Sequence, residues 1–136
     1  MNTAKVSYLG ELRTRATHLQ SGESILTDAP VDNKGKGAFF SPTDLLATAL
    51  LTCMITTMGI AAQGREWELG TVSGEVLKVM ASHPRRVEKT VVQIHFEKCP
   101  LDAEQRHTME LIALHCPVAK SLHPDLVVET TFTYAD

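Results

Sequence analysis

Two cysteines carry the clearest candidate chemistry in this chain of 136 residues. Cys53 lies in the uncharged run "ALLTCMITTMG", and Cys116 stands directly before Pro117 in "ALHCPVAKSLHP". A cysteine acts as a nucleophile only as the thiolate, and burial among apolar side chains disfavours that ion. Cys53 is therefore either a small core residue or one member of a redox pair with Cys116, and the residue pattern alone leaves both interpretations open.

Cys116 differs from Cys53 in its predicted position on a helix. Pro117 suits the first position of a short helix that ends near Leu122, which makes Cys116 the N-cap of that helix. Unpaired backbone N–H groups at a helix start favour an anion, so we expect thiolate character at Cys116. Cys53 lies inside its own helix and receives no such benefit from the start of that helix. The two thiols meet if the helix before Cys116 packs on the long helix.

A buried Cys53 needs a nearby cation to ionise. The candidates in the N-terminal half are Arg13 and Arg15, in the strand-like segment "LRTRATHL", although the pattern of that segment by itself favours a solvated strand residue at each position. Asp44 could orient such an arginine. It also fits a capping box with Ser41 at the start of the long helix, which gives it a structural role.

The elements that position these side chains are predicted in the order β-β-β-α-β-β-α-α-β, an α+β domain. Residues 1–30 alternate in polarity as three short strands with turns between them. A capping box with a proline at the first helical position starts a helix that runs to about Gln63. Two long strands follow, and the second has Val92, Ile94 and Phe96 on one face and Val91, Gln93 and His95 on the other.

The C-terminal third is predicted to hold two helices and a last strand. Asp102 with Gln105 caps the first helix, whose core stripe contains Met109, Ile112 and Ala113. The short helix after Cys116 follows, and "LVVETTFTY" forms the closing strand.

The stretch Leu45 to Ala62 carries no charge over 18 positions, which is close to the length of a membrane span. Several threonines interrupt it, and no aromatic belt or basic cluster flanks it, so we expect no membrane segment. A helix that is apolar on nearly all sides is covered by protein on all sides. A small domain supplies that covering with difficulty, so the pattern favours a dimer.

Composition limits the remaining classes of function. A chain with 43% hydrophobic residues can close one core, so we expect a single domain over residues 1–136. The net charge of −3 and the scattered basic residues predict no nucleic-acid partner. The N-terminus lacks the pattern of a secretory signal, so we expect a cytoplasmic protein whose cysteines do not form a structural disulfide framework.

The third cysteine, Cys99, ends the strand-like segment "HFEKCPL", and we expect a solvent-edge or packing thiol there. Metal binding by Cys99, Cys116, His115 and His123 would need a closed cluster, and no CxxC or HxxxH spacing supports one. The two Cys-Pro dipeptides are too short to indicate a haem contact. We therefore expect no metal or other cofactor.

Two segments carry a family resemblance. "FSPTDLLATALLTCMITTMGIAA" resembles the Cys-bearing central helix of the OsmC/Ohr family of osmotically inducible and organic hydroperoxide resistance proteins. "HCPVAKSLHPDLVVETTFTY" resembles the second Cys-Pro motif and the last strand of that family. The order and spacing agree from "YLGELRT" to "TFTY". Where the family has a Glu after the helix-initial proline, this chain has Thr43, and the carboxylate follows one position later at Asp44.

The resemblance implies an intertwined α+β homodimer in which antiparallel sheets surround two long, buried central helices. It also implies a thiol peroxidase that reduces organic hydroperoxides, and hydrogen peroxide less efficiently. Cys53 would attack the peroxide and Cys116 would form the disulfide, with Arg13, which aligns better than Arg15, and Asp44 completing the site. A dithiol reductant, for which a lipoyl group is a candidate, would reopen the disulfide.

Two other functions remain open at this point. A non-catalytic protein of the same fold could bind a small apolar ligand at the dimer interface, with Asp44 marking the loss of the arginine–acid pair. A thiol-based redox sensor would form the disulfide quickly but turn over slowly. Peroxide consumption in the presence of a dithiol separates the enzyme from both.

Overall fold

A computed structural model describes all 136 residues of the chain. The N-terminal strands are β1 (Ala4–Gly10), β2 (Arg13–His18) and β3 (Ser24–Asp28), followed by a 3-10 turn at Val31–Asn33. The remaining elements are α1 (Pro42–Gly64), β4 (Thr71–Ser82), β5 (Arg85–Glu97), α2 (Ala103–Leu114), α3 (Pro117–Ser121) and β6 (Val127–Ala135). The predicted α+β class and the order of its elements are confirmed.

The chain forms two compact units, Met1–Leu46 and Ala47–Asp136, and α1 begins in the first and continues into the second. The prediction of a single domain stays a prediction. In the first unit β1, β2 and β3 form an antiparallel meander.

The first unit has no apolar core of its own. Its buried residues are all polar: Thr27, Asp28 and Ser41. Its large apolar side chains are instead exposed, and they include Val6, Tyr8, Leu9, Leu12, Ile25, Phe39 and Phe40. A three-stranded sheet needs an apolar face packed on something to be stable. This unit therefore leaves much apolar surface uncovered.

The second unit holds the hydrophobic core. Strands β4 and β5 are antiparallel, and β6 returns parallel to β5 after the crossover made by α2 and α3. The expectation of antiparallel sheets is therefore wrong for this sheet, which is mixed. The inner face of β5 packs with α1 and α2 in one cluster, which includes Leu50, Met54, Met58, Val92, Ile94, Phe96, Met109 and Ala113. The predicted core stripe of α2 is confirmed, with Ile112 partly buried at its edge, and of the two faces of β5 the one with Val92, Ile94 and Phe96 is buried.

A capping box starts α1, as predicted. The Ser41 N–H donates to Asp44 Oδ2 at 2.9 Å, and the Asp44 N–H donates to Ser41 Oγ at 3.0 Å. Pro42 occupies the first helical position, where a missing N–H costs nothing.

Helix α1 buries only one side within a single chain. Its buried residues recur at helical spacing: Ala47, Leu50, Leu51, Met54, Met58 and Ala62. On the other side Ile60 is 67% exposed and Leu46 is 38% exposed. The helix is long and apolar enough to cross a membrane by length and composition alone, a criterion that the core helix of a globular protein also meets.

Candidate active site

The thiols of Cys53 and Cys116 interact through a hydrogen bond that favours ionisation of Cys53 and opposes that of Cys116. Cys53 lies near the middle of α1 and is partly exposed, whereas Cys116 is 0% exposed at the N-cap of α3. The second unit thus brings together two residues that are far apart in sequence.

The first turn of α3 supplies N–H donors to both sulfur atoms. Val118 donates its backbone N–H to Cys53, and Ala119 donates its backbone N–H to Cys116 Sγ at 3.5 Å. Pro117, which follows Cys116 and precedes Val118, has no N–H to donate. The orphan donors of this short helix are therefore satisfied by sulfur acceptors.

A hydroxyl on α1 completes the surroundings of Cys53. Thr57 Oγ1 lies 3.8 Å from Cys53 Sγ, a normal separation for a hydrogen bond to sulfur. The two residues are four positions apart on one helix, so their side chains lie on the same face. The sequence analysis missed Thr57, although the helical spacing alone could have identified it.

The surroundings give the two thiols opposite acidities. Burial opposes ionisation of Cys53, but the Val118 N–H, the Cys116 thiol and the Thr57 hydroxyl together hold the pKa of Cys53 below its ordinary value. Burial is also the main influence on Cys116, and with the hydrogen bond to Cys53 it raises the pKa of that thiol. Cys53 is therefore the stronger acid of the pair.

The expectation of thiolate character at Cys116 is wrong. The start of α3 does offer N–H donors, but Cys116 is fully buried and lies beside a sulfur that ionises first. The first turn of α3 also donates to Cys53, a thiol on a different helix. Sequence reasoning considered each helix start only for the residues of the same helix.

In the first unit, Arg13 forms a two-pronged ion pair with Asp28. Arg13 Nε lies 2.6 Å from Asp28 Oδ1, and Nη2 lies 2.9 Å from Oδ2. The guanidinium also stacks over the ring of Phe39, 4.8 Å from its centroid. Arg15, its rival in the sequence analysis, is exposed. The role of either arginine at Cys53 stays a prediction.

The sequence analysis did not identify Asp28. Its side chain is 1% exposed and accepts a third hydrogen bond, from the Ala38 N–H at 3.0 Å. Arg13 and Asp28 face each other in the register of β2 and β3. The sequence shows Asp28 only as an acid at the end of the third strand. Pairing it with Arg13 requires knowledge of the register between β2 and β3.

Asp44, the acid that the resemblance selected, has its capping role in the structure. The role of Asp44 in orienting an arginine stays a prediction.

Cys99 is a packing thiol. It is buried in the core of the second unit, so the solvent-edge alternative is wrong. Its backbone carbonyl accepts a hydrogen bond from Arg106 Nη2 at 2.9 Å. No group of three or more His, Cys, Asp or Glu side chains could hold a metal ion.

The chain belongs to the OsmC-like protein family, whose model matches residues 35–131. A protein from Psychrobacter arcticus, whose name associates it with osmotic stress induction and a detoxification response, is 51% identical over 97% of this chain and 96% of its own. The TM-score of the two structures is 0.91. The resemblance stated above is thereby confirmed at the level of the family.

More distant structures share the fold. An organic hydroperoxide resistance protein OsmC from Legionella pneumophila is 16% identical, with a TM-score of 0.70 over 100% of this chain and 98% of its own. A protein from Vibrio cholerae described as acting in organic hydroperoxide resistance, with captopril in one of its active sites, is 13% identical and has a TM-score of 0.68 over 98% of this chain and 92% of its own. No curated protein sequence matches the chain.

Proposed function

We propose that this protein is a cysteine-based peroxidase that reduces organic hydroperoxides. The observation that carries the proposal is the placement of the two thiols: a partly exposed Cys53 on α1 interacts with a buried Cys116 at the start of α3. The surroundings lower the pKa of Cys53 and raise that of Cys116, which agrees with a nucleophile and a resolving thiol. A peroxide needs an accessible thiolate to attack, and the resulting sulfenic acid needs a second thiol in contact. Membership of a family that includes hydroperoxide resistance proteins supports this assignment.

The reaction balances with the two thiols alone. The Cys53 thiolate attacks the terminal oxygen of the hydroperoxide, the O–O bond breaks, and the alkoxide leaves as the alcohol after taking up a proton. Cys53 is then a sulfenic acid. The sulfur of Cys116 attacks the sulfur of Cys53, the S–O bond breaks, and water leaves with the thiol proton of Cys116. The product is a Cys53–Cys116 disulfide, and an external dithiol returns two electrons and two protons.

Arg13 is proposed to stabilise the anionic sulfur and the departing oxygen. Two of the five N–H donors of its guanidinium bind Asp28, which leaves three for other acceptors. A shallow, mainly apolar pocket of about 540 Å³ in the first unit is lined by Phe39, on whose ring Arg13 stacks, and by Ile25, Leu26, Ala38, Phe40 and Asp44. An apolar lining next to a cation suits a hydroperoxide with an alkyl group.

The functional form is proposed to be a homodimer. The first unit has only polar residues in its interior and exposes large apolar side chains, and α1 leaves Ile60 uncovered. Exposed apolar surface on this scale marks an interaction surface. A second copy of the chain supplies a matching surface, and a cytoplasmic, reducing setting suits a thiol pair that must return to the reduced state.

Turnover with a dithiol tests the proposal. Purified protein is mixed with cumene hydroperoxide and dihydrolipoamide, and peroxide loss is followed. We expect catalytic consumption by the wild type and none by Cys53→Ser. Cys116→Ser should complete one turnover and then stall, with Cys53 over-oxidised, because no thiol remains to capture the sulfenic acid. Cys99→Ser is the matched control and should turn over like the wild type.

Peptide mapping after sub-stoichiometric peroxide identifies the bond that forms. We expect a Cys53–Cys116 link within one chain and a free Cys99. Activity retained in Cys53→Ser, or a link through Cys99, contradicts the peroxidase mechanism. Rapid disulfide formation without turnover would favour a redox sensor, and no reaction with peroxide would favour a protein that binds an apolar ligand.

A further inference from the structure

Helix α2 leads into Cys116 without an intervening loop. The His115 N–H donates to the carbonyl of Ile112 at 3.2 Å, and the Cys116 N–H donates to the carbonyl of Ala113 at 3.3 Å. The last turn of α2 therefore holds the backbone of Cys116, and α3 begins at the next residue. Whatever fixes α2 on the sheet also fixes the start of α3, whose N–H groups meet the two sulfur atoms.

Tyr134 on β6 connects α2 to the sheet. Its hydroxyl donates to Glu110 Oε2 at 2.7 Å. Its ring stacks on Phe96, its partner in the register of β5 and β6, with the ring centroids 4.7 Å apart. Arg106, one turn before Glu110, lies 4.2 Å from the centroid of the Tyr134 ring and donates to the Cys99 carbonyl at 2.9 Å. One side chain thus links two strands and α2.

The hydroxyl of Tyr134 adds direction to the packing of α2. The buried side chains of this helix, Met109 and Ala113, are apolar, and apolar contacts do not specify one orientation. A hydrogen bond requires a narrow range of distance and angle. Burial and the Glu110 carboxylate raise the pKa of Tyr134, so the hydroxyl keeps its proton at neutral pH and remains a donor.

We propose that Tyr134 is a positioning residue for the thiol pair, because its hydroxyl holds Glu110 and with it the helix that places Cys116 and the start of α3. Tyr134 acts through α2 rather than on the sulfur atoms. Its influence reaches Cys53 through the Val118 N–H, which donates to that sulfur. The inference rests on the proposed function only in taking Cys53 as the nucleophile.

The test reads the acidity of Cys53 when the contact is removed. The pH profile of iodoacetamide labelling is measured, with the Cys53 peptide quantified by mass spectrometry. Tyr134→Phe keeps the stacked ring and removes only the hydroxyl. We expect its profile to lie at higher pH, because a displaced Val118 N–H favours the thiolate less. The labelling rate near neutral pH should fall by about 2- to 10-fold, the range that one hydrogen bond is worth.

Glu110 provides the other side of the contact. Glu110→Ala removes the acceptor and should shift the profile as Tyr134→Phe does. Glu110→Gln keeps an oxygen that can accept from the hydroxyl, so its profile should lie close to that of the wild type. The double variant of Tyr134→Phe and Glu110→Ala should shift the profile no further than the larger single shift, because residues that act through one contact are not additive. The Glu110 variants also provide the test if Tyr134→Phe proves too unstable to assay.

Two controls separate positioning from stability. Asp102→Ala removes the cap at the other end of α2, so it destabilises this helix and leaves the Tyr134 contact in place. Tyr8→Phe removes an exposed phenol whose oxygen accepts the Leu12 N–H at 3.2 Å. Both variants should label Cys53 with the wild-type profile, and thermal unfolding gives the stability of each.

Three results would overturn the inference. The first is a wild-type labelling profile in Tyr134→Phe, or a shift in Glu110→Gln as large as that in Glu110→Ala. The second is addition of the two single shifts in the double variant. The third is an equal shift in Asp102→Ala at an equal loss of thermal stability.

Failure of the proposed function is recognised separately, because labelling of Cys53 requires no peroxide. A shifted profile in Tyr134→Phe together with absent turnover in the wild type rejects the peroxidase and supports the positioning role. Turnover by the wild type together with an unchanged profile in Tyr134→Phe rejects the positioning role alone.

Discussion

Val118 donates its backbone N–H to the sulfur of Cys53, although the two residues belong to different helices. The donor is free because it lies in the first turn of α3, where no carbonyl of the same helix can accept it. The sulfur of Cys53 can accept this hydrogen bond because Cys53 lies on the side of α1 that faces α3. The acidity of the candidate nucleophile therefore depends on how α3 is placed, as well as on the residues near Cys53 in sequence.

The acidities of the two thiols are open to direct measurement. The pKa of Cys53 is lowered, so its labelling by iodoacetamide should rise at a lower pH than that of an ordinary thiol. The pKa of Cys116 is raised, so its labelling should rise only at higher pH. Labelling of Cys116 before Cys53 in the pH titration would reverse the proposed roles of nucleophile and resolving thiol.

The contribution of Thr57 can be isolated with one substitution. Thr57→Val removes a hydroxyl that favours the thiolate, and it should raise the pKa of Cys53. Thr56→Val is the matched control, because Thr56 is the exposed neighbour on the same helix. The labelling profile of Cys53 gives its pKa in both variants. Equal shifts in the two would show that Thr57 has no specific effect on the Cys53 thiol.

The oligomeric state is predicted from the uncovered apolar surface. Sedimentation at micromolar concentration should give about twice the chain mass of 14.9 kDa. Ile60→Asp should shift the protein toward the monomer, because a charge on the exposed side of α1 opposes helix packing between copies. Leu77→Asp, at a similarly exposed position on β4, should shift it less. A stable wild-type monomer would exclude the dimer.

Stability in acid should depend on Asp28. The guanidinium of Arg13 holds the pKa of this carboxyl below its usual value, so the pair stabilises the folded protein above the unfolded pKa of about 3.9. That stabilisation is lost as the pH falls through the folded pKa. Thermal unfolding of the wild type and Asp28→Asn should therefore differ most near neutrality and converge in acid. A difference that stays constant down to about pH 3 would contradict an ionised Asp28.

The cap of α1 makes a measurable contribution to stability. Ser41→Ala removes the hydroxyl that accepts the Asp44 N–H, and it should lower the free energy of unfolding by about 1 kcal/mol. Asp102→Ala removes the equivalent box at α2 and provides a matched comparison. Chemical denaturation measures both, and an unchanged midpoint for Ser41→Ala would show that the helix start is fixed by other contacts.

The sequence was most informative where local chemistry determines structure. The box at Ser41 and Asp44, the N-cap at Cys116 and the inward face of β5 all follow from spacing and residue type, and all are present. The predictions failed where a residue depends on a distant one. Asp28 needed the register of β2 and β3, and the acidity of Cys116 needed knowledge of what buries it.

In the reduced protein the sulfur atoms of Cys53 and Cys116 accept hydrogen bonds from the first turn of α3. A disulfide carries no negative charge and accepts hydrogen bonds more weakly than a thiolate. The hydrogen bonds from the Val118 and Ala119 amides to Cys53 and Cys116 therefore become weaker when the disulfide forms. Interactions confined to the reduced form raise the reduction potential of a disulfide. A Cys53–Cys116 bond would therefore be readily reopened by a mild dithiol, and amide exchange at Val118 and Ala119 would be faster in the oxidised protein.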